Sequence, residues 1–119
     1  MHEISLVRSI FSTLESEFEH KKLESLKAIT LRVGKLSNVE PVLMQNAFNA
    51  VTEAEQKYQD VDLIVDVLPI VLYCEACDKE SRVENFKFVC SNCMTPNNNI
   101  IQGTELLIHQ VEFNSDDDK

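Results

Sequence analysis

Cys74-Glu75-Ala76-Cys77 and, twelve residues further on, Cys90-Ser91-Asn92-Cys93 decide how this chain is read. All four of its cysteines are in these two stretches. A C-x2-C turn carries two sulfurs to one side of a tight loop, and two such loops facing each other make a tetrahedral cage of four sulfurs. Four protein ligands fill every position around a metal, leave none for substrate, and mark the ion as structural. Two disulfides would require an oxidising compartment, and the opening Met1-His2-Glu3 lacks the basic and then apolar stretch of a secretory leader. A thioredoxin-like redox pair uses one accessible C-x2-C at a helix start, not two facing pairs. Iron in a rubredoxin-like cage suits the same tetrahedron. Against iron, neither loop has Gly after its second cysteine, because Asp78 and Met94 stand there. Zinc on Cys74, Cys77, Cys90 and Cys93 is the expectation.

On the approach to each pair, Pro69-Ile70-Val71-Leu72-Tyr73 leads into the first and Phe86-Lys87-Phe88-Val89 into the second. Upstream, Val61, Leu63, Val65 and Val67 alternate with Asp62 and Asp66, the pattern of a half-buried strand. Ile29, Leu31 and Val33 alternate in the same way over residues 26–33, and Gly34 ends that run. Ile4, Val7, Phe11, Leu14 and Phe18 recur at helical spacing, which predicts a helix over residues 4–22. A second helix is predicted from Pro41, whose fixed φ suits a first helical position, to about Gln56. A last strand runs through Leu107, His109, Val111 and Phe113, with the His109 ring turned inward or covered by a partner. The expected fold is α+β: a small three-stranded sheet with two helices on one face, plus an inserted zinc-ribbon-like module built on the four cysteines. Residues 1–69 and 102–119 would form the larger domain and residues 70–101 the metal module.

Composition narrows the function. Of 119 residues, 44% are hydrophobic, enough to build a core. Eleven Lys and Arg against twenty Asp and Glu leave a charge of −9. Such a chain has no surplus of cations to displace counterions from a phosphate backbone, and an anionic membrane surface repels it. No apolar run reaches the roughly 20 residues of a spanning helix. A cytoplasmic protein is expected. Two glycines in the whole chain exclude a phosphate-cradling loop, and Ser5 and Ser9 have no histidine–acid arrangement around them. The chain is not expected to be an enzyme.

A histidine at position 2 offers a chelate: the terminal amine of Met1, its own amide nitrogen and imidazole Nδ1. Ni(II) and Cu(II) favour such tetragonal nitrogen sets, and Glu3 adds an amide and a carboxylate. A surface histidine without any ligand role fits the same tripeptide. His20, at the end of the first predicted helix, meets carbonyl ends favourably, and Met44 and Met94 are read as packing residues.

Four segments occur in order: Met1-His2-Glu3-Ile4-Ser5-Leu6, Arg32-Val33-Gly34-Lys35-Leu36-Ser37, the two cysteine pairs, and Ile101-Gln102-Gly103-x-Glu105-Leu106. Together they resemble the HypA/HybF family of hydrogenase-maturation nickel metallochaperones over residues 1–113. The resemblance implies nickel held at the N-terminus by Met1, His2 and Glu3, with Glu40 beside them, and zinc in the cysteine module. Glu40 reads equally as a carboxylate placed against a helix dipole. Family members deliver Ni(II) into the large subunit of [NiFe]-hydrogenase together with a HypB-type GTPase, and in some bacteria also support urease maturation proteins. The competing class is a zinc-ribbon adaptor that acts only through protein contacts.

Overall fold

The computed structural model describes residues 3–114. Helix α1 (Glu3–Glu17) is followed by a single helical turn, α2 (His20–Leu23), then strand β1 (Leu26–Gly34) and a 3-10 turn (Lys35–Ser37). Helix α3 (Pro41–Glu55), strands β2 (Asp62–Leu68), β3 (Val71–Cys74), β4 (Lys79–Arg82), β5 (Ile100–Gln102) and β6 (Leu106–Phe113) complete the order. Two three-stranded sheets result, ordered β2-β1-β6 and β4-β3-β5. The α+β class is the one the periodicities predict. The chain divides into two compact units, Met1–Leu31 with Val39–Asp66 and Ile108–Lys119, and Arg32–Asn38 with Val67–Leu107.

In the first unit α1 buries Val7, Phe11 and Leu14, one stripe of its surface. Helix α3 starts at Pro41, with Glu40 in extended backbone as its N-cap, and buries Met44, Ala47, Phe48, Val51 and Thr52. It stops at Gln56, which takes a left-handed conformation (φ 57°) and donates its N–H to Thr52 O; Lys57 N reaches the same carbonyl at 3.3 Å. This is the helix end for which glycine is usual. Phe11 meets Phe48 edge-on, with centroids 5.8 Å apart. Strand β1, central in its sheet, has Ile29, Leu31 and Val33 fully buried, as their alternation predicts, and also buries Leu26 and Ala28. Each large apolar side chain of this kind contributes about 1.5–3 kcal/mol relative to exposure.

Three local expectations are corrected. The first helix ends at Glu17 rather than near residue 22, and Phe18 sits edge-to-face on Phe113 at 5.3 Å. Val67, at the end of edge strand β2, is exposed although Leu63 on the same face is buried. The His109 ring is not turned inward: it is exposed on edge strand β6, open to a covering partner.

A polar cluster closes the far end of α1. Lys57 Nζ donates to Glu15 Oε2 at 2.7 Å, and Tyr58 Oη donates to the same oxygen at 2.9 Å. The Lys57 and then the Tyr58 hydrogen bond hold the Glu15 carboxyl below its usual 4.5. The folded chain therefore binds fewer protons than the unfolded one just below that value, so this contribution is complete above pH 4.5 and fades as pH falls through the depressed folded pKa. Glu15→Gln is expected to lower stability near neutrality and to flatten its fall below pH 4.5. Urea midpoints of both proteins at neutral and acidic pH check this, and parallel pH curves would refute it.

The second unit has its own small core of Ile70, Leu72 and Val83, with Leu36, Phe88 and Ile100 packed against it. β3 pairs antiparallel with β4, Leu72 opposite Ser81 and Cys74 opposite Lys79. Leu36 enters this core from a distant segment because Gly34 N donates to Glu105 O and Leu36 N to Gly103 O, each at 2.8 Å. The two backbones lie so close that the only two glycines of the chain face each other.

Candidate metal centre

β3 delivers Cys74 at its C-terminal end, and the turn to β4 carries Cys77. The second loop closes where Met94 N donates to Cys90 O at 2.8 Å and Cys90 N to Thr95 O at 2.9 Å. The residue after each second cysteine has left-handed backbone, Asp78 at φ 54° and Met94 at φ 61°. Aspartate tolerates that region better than most residues, and Asp78 also accepts a hydrogen bond from Tyr73 Oη. Both loops thus make the turn that glycine makes elsewhere. The absence of glycine after Cys77 and Cys93 consequently does not separate zinc from iron.

The four sulfurs lie within 4.8 Å of one another. Cys74 Sγ is 3.9 Å from Cys93 Sγ, and Cys90 Sγ is 3.9 Å from Cys77 Sγ. Sulfurs placed about 2.3 Å from one central ion occupy the corners of a tetrahedron with edges of about 3.8 Å. A disulfide needs about 2.05 Å. The donor set therefore fits a tetrahedral metal. Cys74 and Cys90 are buried, Cys77 is half-buried and Cys93 is exposed.

Neighbouring donors favour thiolates. Asn92 N points at Cys90 Sγ (3.4 Å) and Asn92 Nδ2 at Cys77 Sγ (3.2 Å). Ser81 Oγ, buried, lies 3.9 Å from Cys90 Sγ and accepts from Ser91 N at 3.0 Å. The backbone N–H of Cys93 and then that of Asn92 bring the Cys90 thiol down to about 6. The hydroxyl and then the N–H of Thr95 lower Cys93. Cys77 is favoured as thiolate by Asn92, but it shares protons with the thiols of Cys93, Cys74 and Cys90, and together with burial they push it up to about 11. Such thiols titrate as one group, and an incoming metal would displace their remaining protons. Asn92 was not singled out from the sequence, although a polar residue inside a C-x2-C turn is a local signal that could have found it. Ser81, nine residues from its cysteine, carried no local signal.

Among the described residues, these cysteines are the one group of three or more His, Cys, Asp or Glu whose ligand atoms converge. Met1 and His2 lie outside the described residues. Glu3 stands in the first turn of α1. Glu40, exposed, makes no side-chain capping bond at the start of α3.

Fold and site define a mixed α+β protein with four converging cysteines that could hold a metal ion. The profile of the family described as hydrogenase/urease nickel incorporation, metallochaperone, hypA matches residues 1–113, and the chain belongs to this family. It is a family of metallochaperones, not of enzymes. The hydrogenase maturation factor HypA of Desulfitobacterium hafniense (strain DSM 10664 / DCB-2) is 31% identical over 112 residues, covering 94% of this chain and 97% of that protein. That of Aquifex aeolicus (strain VF5) is 30% identical, covering 98% of this chain and 100% of the relative. The solution structure of the Ni metallochaperone HypA from Helicobacter pylori has the same fold, with a TM-score of 0.63 at 24% identity, over 95% of this chain and 97% of that one. Among the described residues, no helix is long and apolar enough to cross a membrane.

Proposed function

We propose that this chain is a cytoplasmic nickel carrier that takes Ni(II) at its N-terminus and delivers it during maturation of [NiFe]-hydrogenase, with zinc resident in the cysteine centre. The observation that carries the reading is the closed sulfur tetrahedron: all four corners are protein, and neighbouring N–H groups favour the thiolates. An ion held there is retained, so a cargo ion needs a second, open site. The Met1 amine, His2 and Glu3 supply one of nitrogen-rich, tetragonal type suited to Ni(II), and the family match includes these residues. Glu40 is assigned beside them as an acidic neighbour. Zinc suits the cysteine centre because a closed structural site asks for no redox change.

The partners follow from the same reading: a HypB-type GTPase, because two glycines do not make a phosphate-cradling loop in this chain, the hydrogenase large subunit as acceptor, and urease maturation proteins where the host makes urease. His2→Ala is expected to abolish tight Ni(II) binding while zinc content and fold are retained. Adding residues before Met1 should weaken nickel binding about as much, since it removes a nitrogen from the same chelate. Isothermal titration of untagged protein, with metal content measured in parallel, tests both. Nickel binding that survives His2→Ala unchanged would leave the adaptor reading in its place, and a red, iron-containing protein would overturn the zinc assignment.

A further inference from the structure

A cleft of about 540 Å³ opens in the first unit, between the end of α1, the α2 turn, the start of β1 and the loop after α3. It has the size of a ligand or anchor pocket. Its floor is apolar: Leu23, Leu26 and Val61 line it and are each at least nine-tenths buried. One wall is preformed. Gln56 and Tyr58 both have left-handed backbone, φ 57° and 60°, unusual for residues other than glycine. The Tyr58 ring is held 4.7 Å from that of Phe11 and its hydroxyl by Glu15. The rim carries three carboxylates, Glu15, Glu24 and Asp60, against one lysine, Lys57. That lysine is already committed to Glu15 at 2.7 Å. Glu24 and Asp60 are exposed, and Glu24 lies 3.3 Å from Nε2 of His20, which also lines the cleft and which an incoming Lys or Arg would displace.

We propose that this cleft is a docking site for a partner protein and takes a basic amphipathic segment, with a bulky apolar side chain seated on Leu23, Leu26 and Val61 and a flanking Lys or Arg met by Glu24 and Asp60. Charge complementarity selects the occupant. An acidic rim around an apolar floor repels nucleic acid, anionic lipid and acidic peptides, and attracts an ammonium or guanidinium on an apolar stem. The placement also suits a carrier. Glu15 lies twelve residues along α1 from Glu3, about 18 Å at the helical rise. A segment bound here leaves the first turn of α1 uncovered. The inference stands whichever metal the chain carries.

The test uses the full chain as purified, labelled with 15N and titrated with a short acetylated peptide in which a leucine pair is flanked by lysines. Amide shifts are expected to concentrate on Leu23, Leu26, Tyr58, Asp60 and Val61. A control peptide with serines for leucines, and separately the double variant Glu24→Lys/Asp60→Lys, should each weaken binding by about tenfold or more. Both substituted residues are exposed, so the variant keeps its fold, which its own spectrum verifies. Shifts scattered over the acidic surface, or a serine peptide that binds equally well, would reduce the effect to net charge and overturn the proposal. So would a double variant of unchanged affinity. If sedimentation instead shows a self-associated chain that the peptide dissociates, the cleft belongs to a second copy and the basic partner falls.

Discussion

Cys74→Ala is expected to unfold the cysteine unit and leave the helical unit folded. Cys74 is buried at the end of β3, opposite Lys79 of β4. Removing its sulfur opens the tetrahedron at the point where the central strand of that sheet enters it. The core behind the cage is small, with Ile70, Leu72 and Val83 as its buried members. A structural zinc in such a module would supply on the order of 10 kcal/mol of folding free energy, at least as much as the three buried apolar side chains together at about 1.5–3 kcal/mol each. The first unit buries Val7, Phe11, Ile29, Met44, Phe48 and several others in a core that includes none of the four cysteines. In a 15N spectrum the resonances of Val67–Leu107 should therefore collapse to unfolded positions, while those of α1 and α3 persist, and the zinc proposed for the centre should be lost. A substituted protein with a fully native cysteine unit would remove the structural role assigned to the centre. Chelation of the metal from the unaltered protein should give the same spectrum.

Gly34→Ala is expected to cost on the order of 4 kcal/mol, well beyond an ordinary single substitution. The reason is contact, not flexibility, because Gly34 has ordinary extended backbone (φ −78°). A Cβ there would stand 2.0 Å from both C and O of Gly103 and 2.5 Å from Thr104 N. All three are backbone atoms, which cannot rotate away as a side chain would. The strands must separate, which breaks the Gly34–Glu105 and Leu36–Gly103 hydrogen bonds and withdraws Leu36 from the core of Ile70, Leu72 and Val83. Gly103→Ala should also destabilise, through its positive φ of 128° and a Cβ 3.0 Å from Ile70 Cα. Urea unfolding followed by circular dichroism gives the midpoint shift. An unchanged midpoint for Gly34→Ala would mean that the backbones do not approach as closely as described.

Much of this protein can be read from short spans of sequence. The cysteine pairs announce their cage because a C-x2-C turn sets the position of both its sulfurs locally. The helix stripes of Val7, Phe11 and Leu14 and of Met44, Ala47, Phe48 and Val51, and the alternation of Ile29, Leu31 and Val33, come from the repeat of one element's own backbone. Pro41 marks its helix start for the same reason. The end of the first helix was not legible, because Phe18 leaves the stripe to meet Phe113, ninety-five residues away. Nor could alternation alone say that Val67 and His109 face solvent. Alternation sorts residues between two faces, but whether a face is covered at a given point depends on what the rest of the chain places over it.

The sequence alone dictates which side chains can hold metal, the succession of helices and strands, and the acidic character of the chain. How those pieces close is a matter of packing in three dimensions. Packing brings Gly34 against Gly103 and sets Leu36 into a core built around β3. It aims Ser81 at Cys90, and it joins Tyr58 to Glu15 across forty-three positions to wall a cleft. It also gives Asp78 and Met94 the turn that glycine would otherwise make. The division has one physical cause. Spacing along a chain specifies only what a few neighbouring φ/ψ pairs can enforce, whereas a contact between distant residues depends on the close packing of everything between them.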